Sequence, residues 1–391
     1  MTRHLGWLII LIFLLVACRT TEAVTVVEAL PLPDTPTSAP PTPTQLFARP
    51  HPPTVTPLPP TATAGPPPTP TITPLASLRQ ITQGACCTGV YWNEESTEVR
   101  FIDQPNAADP VGVWGVDVTQ PGAVPQLITD RLGIYNEART HLAYPDPSQG
   151  LAIIERLADG QTWAIDTQGS SLSFTPAGGV LWTVSDAELS WQARTNQIWL
   201  ADLDGSNART LITLQRGSPA AWLSDEELLV SESVPDSEDV LLSVVSLADG
   251  RTREFARLPS FRDGLLSPDR RYLIFMIRFE TDEFKNGLWL VDLQSDSQLP
   301  KPLPFFGTYR WRDDQHLIYV PFDPAATGHI FYEYDLATGQ SRRLSPDNPQ
   351  AESLLISNND WRVSPDGRKI ALVAARGTDL DGIWVLELAA N

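Results

Sequence analysis

The sequence predicts an all-β fold, a seven-bladed β-propeller of four-stranded sheets, behind a secretory leader and a proline-rich spacer. Three observations predict it. A strand pattern centred on an aromatic residue recurs seven times at blade-sized intervals. A polar turn followed by an apolar strand recurs with it. The region that looks ordered also opens with a lone polar strand, SLRQITQ (77–83), that has no hairpin partner of its own.

Residues 1–17 read as a signal peptide. Arg3 and His4 form a short basic start, and Leu5 to Ala17 is an apolar run of about 13 residues. That is short for a hydrocarbon core of ~30 Å and right for a leader. The run ends Leu15-Val16-Ala17-Cys18, which resembles the lipobox of bacterial lipoproteins. The resemblance implies cleavage before Cys18 and a diacylglycerol on its sulfur, making the membrane a partner through a lipid anchor. Each buried CH₂ of such an anchor contributes about 0.8 kcal/mol. The expected location is the cell envelope, outside the cytoplasm: the outer leaflet of a single membrane or, since Arg19 stands where Asp would favour inner-membrane retention, the outer membrane.

Residues 18–75 form the spacer. Seventeen of the 36 prolines fall between Pro31 and Pro74, interleaved with Thr. Proline fixes φ and removes backbone donors, so this stretch is expected to be disordered, extended and polyproline-like, rising ~3.1 Å per residue. Residues 1–75 together carry three basic and three acidic groups, so the net charge of −19 belongs to residues 76–391. Phosphate neutralisation by basic groups supplies most non-specific nucleic-acid affinity, and an acidic domain excludes nucleic acid as a partner.

Residues 76–391 hold the repeat. The aromatic strand reads VWGVDV (113–118), TWAIDT (162–167), IWLADL (198–203), LWLVDL (288–293) and IWVLEL (383–388), with LSVVSL (242–247) and FYEYDL (331–336) as degenerate copies. Steps between copies average about 45 residues, the length of a four-stranded blade. Before each copy comes a turn and an apolar strand, as in NEESTEVRFI (93–102), NEARTHLAY (136–144), SDAELSW (185–191), SDEELLV (224–230), SPDRRYLIF (267–275), RDDQHLIY (312–319) and SPDGRKIAL (364–372). A closing strand follows in ARTLIT (208–213) and VPQLIT (124–129). The SPDG turn, the IWxxDLDG strand and the RTLIT strand resemble the TolB-type propeller repeat, a relative of WD-repeat propellers. The last repeat reaches only its third strand, and Leu78 to Thr82 has the pattern of the missing fourth. The N-terminal strand is therefore expected to close the last blade, with six blades plus a stray β-sheet as the alternative count.

In that fold the loops between second and third strands, and those between blades, share one face. The candidate binding face there comprises Arg278, Glu280, Asp282, Glu283, Lys285, His329 and Asp379. Cys86 and Cys87 sit in the first inter-blade loop, where two readings stay open: a vicinal disulfide or two buried thiols. DLDG (202–205 and 379–382) lacks the full calcium-loop spacing and reads as a tight turn. His141 and His316 occupy one variable repeat position and read as solvated. No G-x-S-x-G elbow or H-E-x-x-H occurs, and the chain is expected to lack the hydrolase domain of prolyl-oligopeptidase-type enzymes. No cofactor, metal or catalytic residue is expected.

Two functions of different class follow. One is a surface-tethered, non-catalytic binding or scaffold module for an envelope or extracellular protein, peptide or glycan; the TolB-type resemblance implies this role. The other is an extracellular propeller enzyme, a lyase or hydrolase, using carboxylates at the channel mouth such as Asp282, Glu283 and Asp379. The first is the expectation, because nothing in the sequence pairs those acids for catalysis.

Overall fold

The computed structural model describes residues 76–83, 88–136, 138–186, 188–190, 193–237, 239–278, 286–295, 300–376 and 379–388. The chain divides into two units, Met1–Thr69 and Pro70–Asn391, and the described residues belong to the second. Seven antiparallel sheets of four strands each make it an all-β, seven-bladed propeller. A single helical turn, Pro349–Glu352, is the only helix among the described residues.

The strands follow from what lies on either side of each sheet. Second strands such as Tyr272–Ile277 are buried along nearly their whole length, because neighbouring blades cover both faces. Val99, Phe101 and Trp114 of the first blade meet Val373, Ile383 and Val385 of the seventh. On the other side of the seventh blade, Trp361, Trp384 and Leu386 meet Ile318 and Phe331 of the sixth. The repeat aromatics lie in these layers: Trp114 and Trp384 are buried, and Trp163, Trp199 and Trp289 pack half-buried against them.

The polar turns between first and second strands are held by their own side chains. Asn93 Oδ1 accepts the amides of Thr97 and Glu98, each at 2.9 Å. Ser267 Oγ accepts the amide of Tyr272 and Ser364 Oγ that of Lys369, again at 2.9 Å. Such side-chain bonds replace a backbone turn and explain the Asn, Ser and Asp at these positions.

Blades two and three depart from the expected phase. TWAIDT supplies the fourth strand of blade two, Thr162–Asp166, and its third strand is Leu151–Arg156. SDAELSW falls mostly in the loop beyond the second strand of blade three, Val180–Ser185. The turn before that strand is TPAGG (175–179), where Thr175 Oγ1 accepts the Gly179 amide at 2.9 Å. Ile153 and Ile154 stand where most blades carry an aromatic, which let the next Trp take the wrong place in the sequence pattern. The long connection 345–360 is likewise shortened, since the first strand of blade seven already begins at Leu355.

The ring closes as the sequence predicts. Ser77–Gln80 pairs antiparallel with the third strand of blade seven, Asp379–Glu387, with Ser77 opposite Glu387 and Gln80 opposite Trp384. The Ile81 amide donates to the Ile383 carbonyl at 2.8 Å, and the Ile383 amide donates to Thr82 Oγ1 at 2.8 Å. Gly382 makes this approach feasible: its φ is +97°, and a Cβ there would lie 2.5 Å from the Thr82 carbonyl oxygen. Leu78 packs on the core between blades six and seven, and the Arg79 guanidinium donates to the Val118 carbonyl of blade one.

A buried ion triad ties blade six to the same junction. Glu333 is 3% exposed and accepts from both Arg312 and Arg342, while Arg312 Nε donates to the Gly367 carbonyl of blade seven at 2.8 Å. Burial opposes ionisation of Glu333, but its bonds to the two guanidiniums outweigh that and hold its carboxyl below the usual range. Glu333→Ala strands the Arg312 charge and is expected to cost about 3–5 kcal/mol, whereas the Arg312→Met/Glu333→Leu pair loses far less. Because the folded-state value is depressed, the triad's stabilisation is complete above the unfolded carboxyl range and drains away as pH falls through the folded one. Urea unfolding of wild type and both variants across acid pH checks this; equal losses in the two variants would contradict it.

Candidate binding cavity at the propeller mouth

The inner strands of blades five, six and seven, Arg262–Leu266, Gly307–Trp311 and Leu355–Val363, end around a cavity of about 610 Å³ on the face of the inter-blade loops. That volume suits a small-molecule ligand. Two of the candidate residues from the sequence line it, Arg278 and His329. Glu280, Asp282, Glu283, Lys285, Cys86, Cys87 and Cys18 lie outside the described residues, as does the side chain of Asp379. The second strand of blade seven runs to Arg376 and the backbone of Asp379 opens the third, so Asp379 belongs to a strand and not to a long loop.

His329 is set by its surroundings. Gly328 lets the loop lie against the helical turn, since a Cβ there would sit 1.9 Å from the Glu352 carbonyl oxygen. The His329 amide then donates to the Leu354 carbonyl at 2.7 Å, and Nδ1 accepts the Ile356 amide at 2.8 Å. A ring nitrogen that accepts from a backbone amide has no hydrogen, so Nε2 carries it. Burial lowers the imidazole pKa below the ordinary histidine value, which keeps the ring neutral at pH 7.

Arg278 follows the second strand of blade five. Its guanidinium lies 3.9 Å from the Asp263 carboxylate, a loose contact, and donates to Met276 Sδ. Tyr309 is buried, and its hydroxyl donates to the Asp263 carbonyl at 2.7 Å; burial pushes the phenol well above its usual range. The neighbouring Arg310 is half-buried, donates to the Tyr309 carbonyl at 2.7 Å and stands 5.2 Å from the Trp361 ring centroid. Burial, then the adjacent Arg362, lower its affinity for the proton, although a guanidinium stays charged. No carboxylate lies within ion-pair distance of Arg310 or Arg362 among the described residues.

The backbone at the mouth is unusual. Asp263, Asn358 and Asn359 have φ of 54°, 50° and 57°, the left-handed region that Asn and Asp tolerate best. The double kink in blade seven aims Asn359 so that its Oδ1 accepts the Trp361 indole N–H at 2.8 Å. An indole N–H only donates, which fixes the amide with its oxygen toward Trp361 and leaves the NH₂ group as its remaining donor. The next residue, Asp360, accepts the amides of Gly89 and Val90, binding blade seven to blade one. At the rim Phe306 and Phe322 are 41% and 69% exposed and meet edge to face, ring centroids 6.0 Å apart.

Arg310, Asn359, Phe306 and Phe322 escaped the sequence reading, which looked for function in the long loops. A signal was present in YRWR (309–312) and NNDWR (358–362), matching first strands with an Arg beside a Trp and an unusual run of polar residues. DLDG at 202–205 is a turn, closed by Asn207 donating to Asp202 at 2.7 Å. His316 is held by Asp313 at 2.8 Å, and His141 by Thr140 at 2.9 Å.

No family model matches the sequence, and no curated protein matches it. Solved structures do match in fold. An oligogalacturonate lyase in complex with manganese aligns with a TM-score of 0.54 and 11% identity, over 80% of this chain and 96% of that one. The propeller domain of the Trilobed protease from Pyrococcus furiosus, described as having an open velcro topology, aligns with a TM-score of 0.51 and 10% identity, over 79% and 99%. An acylaminoacyl peptidase from Pyrococcus horikoshii gives 0.54 and 10%, over 78% of this chain and 52% of that one. At such identities the likeness is one of fold, shared by a lyase and peptidases alike. The manganese of the first neighbour has no counterpart donor set among the described residues, where no three His, Cys, Asp or Glu side chains gather to hold a metal.

The fixed tautomer of His329 is testable. Ring ¹⁵N NMR is expected to show the Nε2–H form titrating below the ordinary histidine value. Its contribution to stability is then present above the unfolded-state pKa near 6.5 and lost as pH falls through the folded one. A resonance with the hydrogen on Nδ1 would contradict the latch to Ile356.

Proposed function

We propose that this chain is a lipid-anchored, non-catalytic binding module that presents the propeller mouth to ligands or partners outside the cytoplasm. The observation that carries the reading is the mouth cavity, whose polar lining includes the fixed side chains of His329 and Asn359 and the Arg310 guanidinium, which has no ion-pair partner among the described residues. Such a lining recognises a ligand and holds it. Catalysis by carboxylates calls for an acid and a base facing each other across a substrate. Asp323, one of the two lining acids, already accepts the Ala325 amide at 2.9 Å, and Asp263 leans toward Arg278.

The anchor half of the reading rests on Cys18 and the spacer. The strand Ser77–Gln80 enters the ring beside Glu387, at the face of the hairpin turns. The cavity opens on the face opposite residue 76. The enzyme reading draws support from the fold neighbours, which include a lyase and a peptidase, and it predicts turnover where ours predicts none.

Both halves are tested in one experiment on the full chain made in a bacterial host fed an alkyne fatty acid. Wild type is expected to carry the lipid label and Cys18→Ala to lose it. From envelope extract, wild type and Arg368→Ala, altered on the opposite face, should retain a component that Arg310→Ala/Phe322→Ala does not. Mass spectrometry should recover that component chemically unchanged. Release of a cleaved product, or retention indifferent to the mouth variants, would contradict the reading.

A further inference from the structure

We infer that the mouth cavity is a receptor for a small monocarboxylate with a ring-sized body, the carboxylate meeting Arg310 and Asn359 and the ring lying against Phe306 and Phe322. This rests on the reading that the mouth face binds. Four observations lead to it.

The first is charge. The protein carries a net charge of −19, yet the Arg310 guanidinium, 5.2 Å from the Trp361 ring centroid, stands near Arg362 and feels Asp360 and Asp263 only at a distance, with no carboxylate in ion-pair reach among the described residues. A half-buried guanidinium without a counter-ion is costly, and an incoming anion offsets that cost.

The second is the polarity of the fixed groups. The Asn359 amide is oriented by the Trp361 indole, with its oxygen occupied and its NH₂ left over. His329 is held with Nδ1 occupied, so its other nitrogen is a donor. Arg278, in a loose contact with Asp263, adds a second guanidinium. Donors that are orientated before binding lower the entropy lost when a ligand arrives.

The third is the number of charges. A planar guanidinium beside a planar amide matches a planar carboxylate. Asp263 and Asp323 also line the cavity and repel any anion, a doubly charged phosphate about twice as strongly as a monocarboxylate. The fourth is shape. The volume of about 610 Å³ is small-molecule sized, and two exposed phenyl rings at its rim, set 83° apart, offer a face for either an aromatic or a sugar ring.

The test is calorimetric titration of the full chain with 3-phenylpropanoate, glucuronate, 3-phenylpropanamide and inorganic phosphate. One or both carboxylates are expected to bind; the tighter of the two assigns the body as aryl or sugar. The amide and phosphate are expected to bind at least about tenfold more weakly, a difference of about 1.4 kcal/mol. Asn359→Asp keeps the oxygen that accepts from Trp361, and replaces the donors with a like charge. It should hold its thermal midpoint and lose about tenfold in carboxylate affinity, as should Arg310→Met. If neither carboxylate binds, or if amide or phosphate binds as tightly, the inference fails. It fails alone if the mouth variants still abolish retention of the envelope component, and together with the broader reading if they do not.

Discussion

The pairing of Ser77–Gln80 with the last third strand is the constraint on which the rest of the architecture depends. Seven sheets arranged around an axis have no free end only if the first and last are joined. Here the join is made by hydrogen bonds between strands that are about 300 residues apart in sequence. A strand edge left open is a template for aggregation, and an open ring can splay at its seam. Gly382, Thr82 and Ile383 make the contact intimate, and Arg79 carries it over to blade one. Closure converts seven local sheets into a single body whose blades cannot shift independently.

The rigidity of that body gives the mouth its chemistry. Arg310, Asn359 and His329 come from different strands and loops, and their geometry holds only while blades five to seven keep register. Blade seven is tied on both sides, to blade six through Arg312 of the Glu333 triad and to blade one through Asp360 and Arg79. Left-handed backbone at Asp263, Asn358 and Asn359 adds local strain where polar groups must be aimed, and strain of that kind persists only in surroundings that over-determine it.

The repeat was legible because each blade needs the same things: a turn closed by Asn, Ser or Asp, a strand covered on both faces, and an aromatic between layers. Where a blade meets the need differently, as Ile153 and Ile154 do in place of an aromatic, the pattern slips and TWAIDT is assigned one strand too early. The closing strand was legible because one strand was missing at one end and spare at the other. The cavity was harder to see. Its walls come from inner strands separated by about 45 residues, and nothing in a linear pattern reveals that Arg310 has no carboxylate in ion-pair reach among the described residues or that Trp361 turns Asn359. His329 and Arg278 were visible as loop residues, but their roles depend on Ile356 and Asp263, which only folding brings near.

Native-state hydrogen exchange tests the closure most directly. If the N-terminal strand seals the ring, the ladder-facing amides of Arg79 and Ile81 and that of Ile383 should exchange as slowly as those of the buried strand Tyr272–Ile277, and only by global unfolding. Fast exchange of the N-terminal strand alone, with the seven sheets otherwise protected, would show a ring that stands without its seam and would contradict the account.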